Sequence, residues 1–190
     1  MSSYCDTAPG HPLHGPYHDT EYGFPLVDEA RLLERLALEI FQAGLSWELV
    51  LAKRPAIVRA FDNFDVDRVA AFDEERRGVL LTDAGIIRNR AKIAAIIDNA
   101  RRVQALRETH GGFAAWLSVH HPRSKEAWLA LFRQTFRFVG GEIVGEFLMS
   151  TGFLPGAHRA ECPIYAQIKQ LEPPWAVVDP AIFQAQPAKM

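Results

Sequence analysis

The stretch from residue 28 to residue 47, "DEARLLERLALEIFQAGLSW", predicts the element around which the fold is built. Asp28 is suited to cap the start of a helix, and Gly44 is suited to end it. Ser46 can then cap a second helix that begins at Trp47. The spacing of the apolar residues predicts one buried helix face, formed by Leu32, Leu33, Leu36, Ile40 and Phe41.

Helical patterns continue on the C-terminal side of this stretch, and no alternating strand pattern competes with them. They cover "RPAIVRAF" (54–61, with Pro55 suited to a first turn), "DVDRVAAF" (65–72), "DEERRGVLL" (73–81), "RNRAKIAAIIDNARRVQALRE" (88–108), "GFAAWLSVH" (112–120), "SKEAWLALFRQTF" (124–136) and "GGEIVGEFLMSTG" (140–152). The β-rich "WAVVD" (175–179) is too short to build a sheet. We therefore expect an all-α protein, an orthogonal array of short helices.

The domain organisation follows from the two ends of the chain. Residues 1–27 are rich in Pro, Gly, His and Tyr and predict an irregular arm. Residues 166–190 contain several prolines and predict an irregular tail, which leaves 1–165 as one domain. The chain has no apolar run of membrane-spanning length, no signal-peptide pattern and only two cysteines. These features favour a cytoplasmic protein without a membrane partner, and no obligate protein partner is evident.

The distribution of positive charge gives the first indication of a partner. The formal net charge is −2, which argues mildly against nucleic acid unless basic residues gather on one face. Five of them do lie close together in the sequence: Arg88, Arg90, Lys92, Arg101 and Arg102. The alternative is that these residues form an ordinary helix face exposed to solvent, and the charge distribution alone favours this alternative.

The segment "LLTDAGIIRNRAKIAAII" (80–97) reads as a helix, a turn around Gly85 and a second helix. It resembles a helix–hairpin–helix DNA-binding element, in which glycine lets backbone amides approach a phosphate. Arg88, Arg90 and Lys92 would add attraction that is independent of base sequence. The alternative is an ordinary helical hairpin that ends in a glycine cap.

Glu39 and Trp47 flank the break at Gly44 and form the second candidate site. Glu39 lies on the apolar side of its helix, where an unpaired charge is costly. A carboxylate and an indole at a helix corner suit a flat, polar, cationic ligand, because the indole stacks and the carboxylate balances charge. The alternative is that Trp47 belongs to the core and Glu39 pairs with a nearby arginine.

The cysteines and histidines near the two ends of the chain form the third candidate site. "HRAEC" (158–162) places His158 four residues before Cys162. Cys5 has three histidines downstream of it: His11, His14 and His18. One thiolate and one imidazole from each end would make a tetrahedral zinc site. Spacing alone does not select the N-terminal histidine, and the alternative is two unrelated cysteines.

Together these stretches resemble the bacterial 3-methyladenine DNA glycosylase I family of the helix–hairpin–helix glycosylase superfamily. The resemblance runs from Cys5 to about Cys162, and its motifs occur in the family's order: "YHDTEYG" (17–23), "LEIFQAGLSW" (38–47), "DAGIIRNRAKI" (83–93), "FRFVG" (136–140) and "HRAEC". It implies a structural zinc ion held by Cys5, His18, His158 and Cys162. It also implies that Glu39 contacts a flipped base, Trp47 stacks on the base, and Tyr17 lines the pocket.

The chain departs from the family pattern in and around the expected pocket. Tyr22 stands where the family usually has a tryptophan, so it keeps an aromatic wall of altered shape. Glu142 and Glu146 lie one helical turn apart, where neutral residues are expected. If they face the pocket, they favour a cationic base.

The function that the resemblance implies is a monofunctional glycosylase that excises 3-methyladenine from alkylated double-stranded DNA. Gly85, Arg88, Arg90 and Lys92 would then contact phosphate, and no lysine is assigned to strand cleavage. One alternative is a glycosylase for another damaged purine. A second is a non-catalytic, zinc-stabilised DNA-binding module, and a third is a zinc hydrolase, which a closed set of four protein ligands disfavours.

Overall fold

The computed structural model describes residues 3–183, within which all regular structure is helical, as predicted. The α-helices of this part of the chain are α1 (Tyr4–Thr7), α2 (His14–Thr20), α3 (Glu29–Gln42), α4 (Trp47–Ala60), α5 (Val66–Ala70), α6 (Glu74–Thr82), α7 (Arg90–His110), α8 (Phe113–His120), α9 (Lys125–Thr135), α10 (Gly141–Ser150) and α11 (Pro163–Gln170). Short 3₁₀ helices cover Asp62–Phe64, Pro174–Val177 and Pro180–Phe183. None of the described helices has the length and apolar character needed to cross a bilayer.

Helix α3 is the centre of the fold, and its sequence explains both of its ends. The Asp28 carboxylate accepts a hydrogen bond from the Arg31 N–H at 2.9 Å and caps the first turn. After the last turn, Gly44 adopts a φ of +79°, a left-handed conformation that glycine reaches without steric cost. The predicted apolar face is fully buried and packs against α4, α5, α7, α8 and α10.

Helix α4 is continuous across Pro55, so the prediction of a separate helix starting there is wrong. Ser46 caps α4 as expected and accepts a hydrogen bond from the Leu49 N–H at 3.2 Å. Val50 and Ile57 lie on either side of the proline and are both fully buried. Their burial keeps the two halves of α4 against the core, although Pro55 has no N–H to donate to the preceding turn.

The N-terminal arm is more regular than predicted, because residues 4–7 and 14–20 form α1 and α2. In α1, Ser3 and Asp6 form a reciprocal capping box, with Ser3 N–H donating to Asp6 Oδ2 at 2.8 Å. At Gly23 the arm contacts the C-terminal part of the chain so closely that a Cβ would lie 2.8 Å from that of Ala157. Helices this short carry too little periodicity to be recognised from sequence.

The predicted irregular tail also begins with a helix, and the predicted boundary at residue 165 falls inside α11. Pro163 occupies the first turn of α11, where its missing N–H has no cost. Beyond α11 the chain remains attached to the domain: Trp175 N–H donates to the Gly152 carbonyl at 3.2 Å, and His121 Nε2 bonds the Pro174 carbonyl at 3.0 Å. Residues 184–190 of the predicted tail lie outside the described residues.

Helices α6 and α7 form the predicted hairpin, with residues 83–89 as its turn. Asp83 Oδ1 accepts the Gly85 N–H at 2.7 Å, and Lys53 Nζ donates to the Gly85 carbonyl at 3.2 Å. Arg88 and Arg90 are exposed beside the start of α7.

Lys92 does not face solvent with those arginines, which corrects its predicted contact with phosphate. Its side chain is 5 % exposed, and its Nζ donates to the carbonyls of Phe41 (2.8 Å) and Ala43 (2.5 Å). Lys92 lies on the core side of the first turn of α7, and its long stem reaches the free carbonyls at the end of α3. Lys92 therefore fixes the α3–α4 corner.

This role of Lys92 predicts a loss of stability when its ammonium group is removed. Lys92→Met keeps the apolar stem but leaves two carbonyls unpaired, so the free energy of unfolding should fall by about 2 kcal/mol in urea denaturation. Arg90→Met, on the exposed side of the same turn, should stay within about 0.5 kcal/mol of wild type. If Lys92→Met left the stability unchanged but weakened DNA binding, the original prediction that Lys92 contacts phosphate would be correct.

Candidate active site and metal cluster

A cavity of about 710 Å³ lies where the N-terminal arm meets the α3–α4 corner and α10. Aromatic rings from three elements line it: Tyr4 from α1, Tyr17 from α2 and Trp47 from α4, together with Tyr22 just after α2. Glu39 and Glu146 also line it. The structure therefore brings together Tyr17, Tyr22, Glu39 and Trp47, four residues that the sequence analysis assigned to base binding.

The aromatic side chains contact one another and form a continuous wall. The centroids of Tyr17 and Trp47 are 5.1 Å apart, and those of Tyr17 and Tyr22 are 5.7 Å apart. Tyr4 packs edge-on against Tyr22 at 5.5 Å. These distances are typical of stabilising aromatic pairs. Because each ring is held by its neighbours, the wall presents a fixed apolar surface to a planar ligand.

Arg35, one turn before Glu39 on α3, holds the aromatic wall from behind. Its guanidinium is 3 % exposed and donates to Tyr17 Oη at 2.9 Å and to Glu21 Oε2 at 3.0 Å. Arg54 binds both oxygens of Glu21 at 2.7 Å. Burial disfavours the Glu21 carboxylate, but these arginines outweigh it and hold the pKa of Glu21 below its ordinary value. The arm, α3 and α4 are thereby joined by one ionic network.

Glu39 is 4 % exposed, and no described residue donates a hydrogen bond to its carboxyl group. Burial, reinforced by the negative charge of Glu146 and opposed by Arg35, raises the pKa of Glu39 to about 8. Glu39 does not pair directly with an arginine, because Arg35 is bonded to Tyr17 and Glu21. The carboxyl group is thus an unpartnered polar group at the inner end of an aromatic cavity.

Glu146 is the second carboxyl group of the cavity and belongs to α10. Tyr22 Oη donates a hydrogen bond to Glu146 Oε2 at 3.0 Å. Burial and the charge of Glu146 raise the pKa of Tyr22, so the phenol stays protonated and acts as the donor. Glu142, one turn earlier on α10, also borders the cavity, but its side chain is 93 % exposed to solvent.

Cys5, His18, His158 and Cys162 converge beside the cavity, with their ligand atoms within 4.8 Å of one another. Cys162 Sγ is 3.8 Å from His18 Nε2 and 3.5 Å from His158 Nδ1. Cys5 Sγ is 3.7 Å from His158 Nδ1. Ordinary Zn–S and Zn–N bonds in a tetrahedron give S–N separations of about 3.6 Å. The four residues therefore fit a single tetrahedral metal ion.

The outer nitrogens of both histidines are bonded in the way a metal site requires. His18 Nδ1 donates to Asp19 Oδ1 at 2.7 Å, and His158 Nε2 donates to the Tyr22 carbonyl at 2.7 Å. These bonds fix the tautomers so that His18 Nε2 and His158 Nδ1 carry lone pairs toward the cysteines. The bond to Tyr22 also joins the metal cluster to the wall of the cavity.

A second group of possible ligands, His11, His14 and Glu48, lies at the cavity mouth. His11 Nδ1 accepts the N–H groups of Leu13 and His14, both at 3.2 Å. The neutral ring consequently carries its proton on Nε2, which points to Glu48 at 3.9 Å. A proton at Nε2 leaves no lone pair there for a metal.

The predicted phosphate-binding residues are not among the residues that line the cavity. Lys92 joins the first turn of α7 to Ala43, which lines the cavity, and Arg88 and Arg90 are exposed beside that turn. A second hairpin, α9–α10, borders the cavity through α10. The N-terminus of α10 has no side-chain cap at Gly140, so its first amides are available to an anion.

Several residues of the site carried no recognisable signal in the sequence. Arg35 has the appearance of an ordinary charged residue, and only the fold brings it to Glu21, which lies within the motif "YHDTEYG". Leu45, next to Gly44, is 39 % exposed on the rim of the cavity. For Glu146 the sequence did contain a signal. Glu142 and Glu146 lie one helical turn apart, and two like charges at that spacing repel unless something compensates them.

Comparison with known proteins defines the class to which this fold and site belong. The family model "Methyladenine glycosylase" matches residues 7–127. The chain is 37 % identical to DNA-3-methyladenine glycosylase 1 of Escherichia coli, with 85 % of this chain and 96 % of that protein covered. It is 31 % identical to DNA-3-methyladenine glycosylase of Haemophilus influenzae, with 86 % and 98 % covered.

Solved structures agree with the sequence relatives. A variant of 3-methyladenine DNA glycosylase I in complex with 3-methyladenine superimposes with a TM-score of 0.76 at 27 % identity, and 86 % of this chain and 97 % of that chain are covered. A further 3-methyladenine DNA glycosylase I gives 0.75 at 35 % identity, with 84 % and 97 % covered. The chain belongs to the methyladenine glycosylase family.

The raised pKa of Glu39 predicts a particular dependence of stability on pH. Between the ordinary value of 4.5 and about 8, the folded protein binds a proton that the unfolded chain has lost, so this contribution to stability decreases as pH rises. Glu39→Gln removes the titration. Its stability relative to wild type should therefore increase between pH 5 and pH 8.5, by on the order of 3 kcal/mol.

Thermal unfolding of both proteins across this pH range is the measurement. Glu75→Gln, an exposed carboxyl on α6, is the matched control and should run parallel to wild type. A difference between Glu39→Gln and wild type that stays constant with pH would contradict a buried, protonated Glu39.

Proposed function

We propose that this protein is a monofunctional DNA glycosylase that releases 3-methyladenine from alkylated double-stranded DNA by hydrolysing the N-glycosidic bond. One observation carries the proposal: the unpartnered carboxyl group of Glu39 lies in a cavity walled by Tyr17 and Trp47. Similar proteins named as 3-methyladenine DNA glycosylases support it. A reaction on chromosomal DNA fits a cytoplasmic protein that needs no obligate partner protein.

The cavity is suited to a base that has left the DNA helix. A damaged base can be reached only when it is extruded, and unstacking it costs a few kcal/mol. Stacking on Trp47 and Tyr17 repays part of that cost, because their rings are already held in place. Exposed Leu45 on the rim can fill the space that the extruded base leaves in the DNA stack.

Glu39 recognises the base once it is inside. N3-methyladenine is positively charged while bound to deoxyribose, so it is already a good leaving group and needs little acid catalysis. The positive charge of the bound base lowers the pKa of Glu39, so the carboxyl group loses its proton when the base binds. The carboxylate oxygens then accept hydrogen bonds from the base and balance its charge. Water then attacks the sugar through an oxocarbenium-like state as the bond breaks. The bonding electrons leave with the base, which departs as neutral 3-methyladenine, and the proton of the attacking water passes to solvent.

The same cavity explains why strand cleavage is not expected. Among its described lining residues there is no lysine that could form a Schiff base with the sugar, and no aspartate that could act as a general base. Lys92 and Lys53 both donate to backbone carbonyls instead. The reaction accordingly stops at the abasic site.

The DNA backbone contacts the two hairpins beside the cavity. Arg88 and Arg90 supply charge, and the turn around Gly85 lets the backbone approach closely. The uncapped N-terminus of α10 adds a further anion-binding position. None of these contacts reads base sequence, which suits an enzyme whose lesion occurs anywhere in a genome.

The four-residue cluster holds a structural zinc ion in this proposal. The donor set of two thiolates and two imidazoles suits zinc, and four protein ligands leave no position for an activated water. Zinc supplies no chemistry to the reaction. It joins the arm to the segment around residue 160. It thereby holds two residues against the cavity: Tyr17, the neighbour of His18, and Tyr22, whose carbonyl accepts a hydrogen bond from His158.

Base release from methylated duplex DNA tests the reaction directly. Mass spectrometry should identify free 3-methyladenine with wild type, and Glu39→Ala should lower its rate about 100-fold, since a positioned carboxyl group is lost. Glu75→Ala, exposed and outside the site, is the control. No release by a folded, metal-loaded protein would contradict the proposal, as would a protein–DNA adduct trapped by borohydride.

Metal analysis tests the cluster independently of activity. Purified protein should contain one zinc ion per chain, and Cys162→Ser should lower both the zinc content and the Tm, by about 10 °C. His14→Asn is a matched control, because His14 lies in the same arm but outside the cluster. Chelation that abolished activity without changing the unfolding temperature would contradict a structural role.

A further inference from the structure

We propose that Glu146, positioned by Tyr22, is a specificity-determining residue: with Glu39 it forms a two-carboxylate end of the cavity that selects purines carrying a positive ring charge over neutral purines of the same shape. The inference rests on the proposed function, which it deepens by naming the substrate class. Its basis is the placement of Glu146, Tyr22 and Glu39 around one cavity.

Glu146 is placed where a ligand would meet it. It lies on the face of α10 that borders the cavity, is half-buried, and is held by Tyr22 Oη at 3.0 Å. The phenol of Tyr22 belongs to the aromatic wall, so one side chain both forms the wall and orients the carboxylate. A carboxylate fixed in this way is preorganised for a bound ligand.

No cation of the described protein forms an ion pair with this carboxylate. No described Lys, Arg or His nitrogen lies within 4.0 Å of it; Lys125 lies 3.8 Å from Glu142 and acts on Glu146 only at longer range. The Glu39 carboxyl group also has no ion-pair partner, because Arg35 binds Glu21 and Tyr17 instead. Burying unpaired acidic groups is costly, and a cationic ligand between them removes that cost.

The electrostatic state of the site agrees with this arrangement. Burial raises the pKa of Glu146, with a further contribution from the charge of Glu142, while the Tyr22 hydrogen bond and the charge of Lys125 oppose the rise. The two cavity carboxyls therefore favour arrangements in which they share one negative charge. A delocalised cation with N–H donors, as in an N-methylated purine nucleotide, complements both groups.

Glu146 acts on binding more than on the rate of bond cleavage. Attraction between a carboxylate and the base is present in the bound substrate and weakens as positive charge moves to the sugar. An interaction of this kind sets which lesions are held and does not accelerate the chemical step. Its loss should therefore appear in KM and in ligand affinity, with kcat nearly unchanged.

Two small ligands measure charge selectivity without DNA: the 3,9-dimethyladeninium cation and its neutral isostere 3-deaza-3,9-dimethyladenine. The ratio of their Kd values, obtained by isothermal titration calorimetry, should favour the cation in wild type. Glu146→Gln keeps an oxygen that accepts the Tyr22 hydrogen bond but removes the charge, so it should reduce the ratio about tenfold. Affinity for the neutral ligand should change less than about twofold.

Two further variants separate charge from structure. Tyr22→Phe frees Glu146 from its donor and should reduce the ratio partly. Glu142→Gln removes a carboxylate from the same helix, but this one is 93 % exposed and screened by water, so the ratio should stay within about twofold of wild type. Equal losses for both ligands in Glu146→Gln would mean a packing role and would overturn the inference.

The base-release assay keeps this inference distinguishable from the proposed function. If wild type releases 3-methyladenine and Glu146→Gln leaves the ratio unchanged, Glu146 is not a specificity residue although the enzyme activity stands. If no base is released but the ratio falls in Glu146→Gln, the cavity selects cationic purines and the proposed reaction is wrong.

Discussion

The guanidinium of Arg35 is buried where three parts of the chain meet: α3, which carries it, the N-terminal arm and the end of α10. It bonds Tyr17 in the arm, Glu21 just beyond α2, and lies 3.4 Å from the Ser150 carbonyl at the end of α10. A buried cation is destabilising unless all its donors are satisfied, so this arrangement has little freedom to rearrange. The position of the aromatic wall relative to Glu39 depends on it, because Arg35 and Glu39 are separated by one turn of α3.

A division of labour in the cavity follows from that arrangement. Arg35 donates its hydrogen bonds to Tyr17 and Glu21 and none to Glu39. The carboxyl group of Glu39 therefore has no partner in the protein and is available to a ligand. In the proposed function, the aromatic rings supply contact area that is tolerant of purine identity, whereas the carboxyl groups discriminate by charge. Under that proposal, shape and charge are recognised by different residues, and natural variation at one need not disturb the other.

The sequence was informative wherever a local pattern controls the structure. The caps at Asp28 and Ser46 and the apolar face of α3 follow from spacing alone. The predicted phosphate contact of Lys92 is wrong because a sequence does not distinguish an exposed lysine from a buried one. The carbonyls that Lys92 binds lie about 50 residues away. The short helices of the arm depend on tertiary contacts, such as the packing of Gly23, and periodicity cannot detect them. The hydrogen bond between Tyr22 and Glu146 joins residues that are 124 positions apart, so it could be recognised only from the folded structure.

The metal cluster also constrains when the site can exist during protein synthesis. Cys5 and His18 leave the ribosome long before His158 and Cys162, since Cys5 and His158 are 153 positions apart in the sequence. Until the last of them emerges, the arm has no partner for its ligands, and Tyr22 has no imidazole bonded to its carbonyl. The contacts of Tyr17 with Arg35 and Trp47 do not depend on residues 158–162, but the bond to the Tyr22 carbonyl does. The arm can therefore reach its final position only after residue 162 has been synthesised.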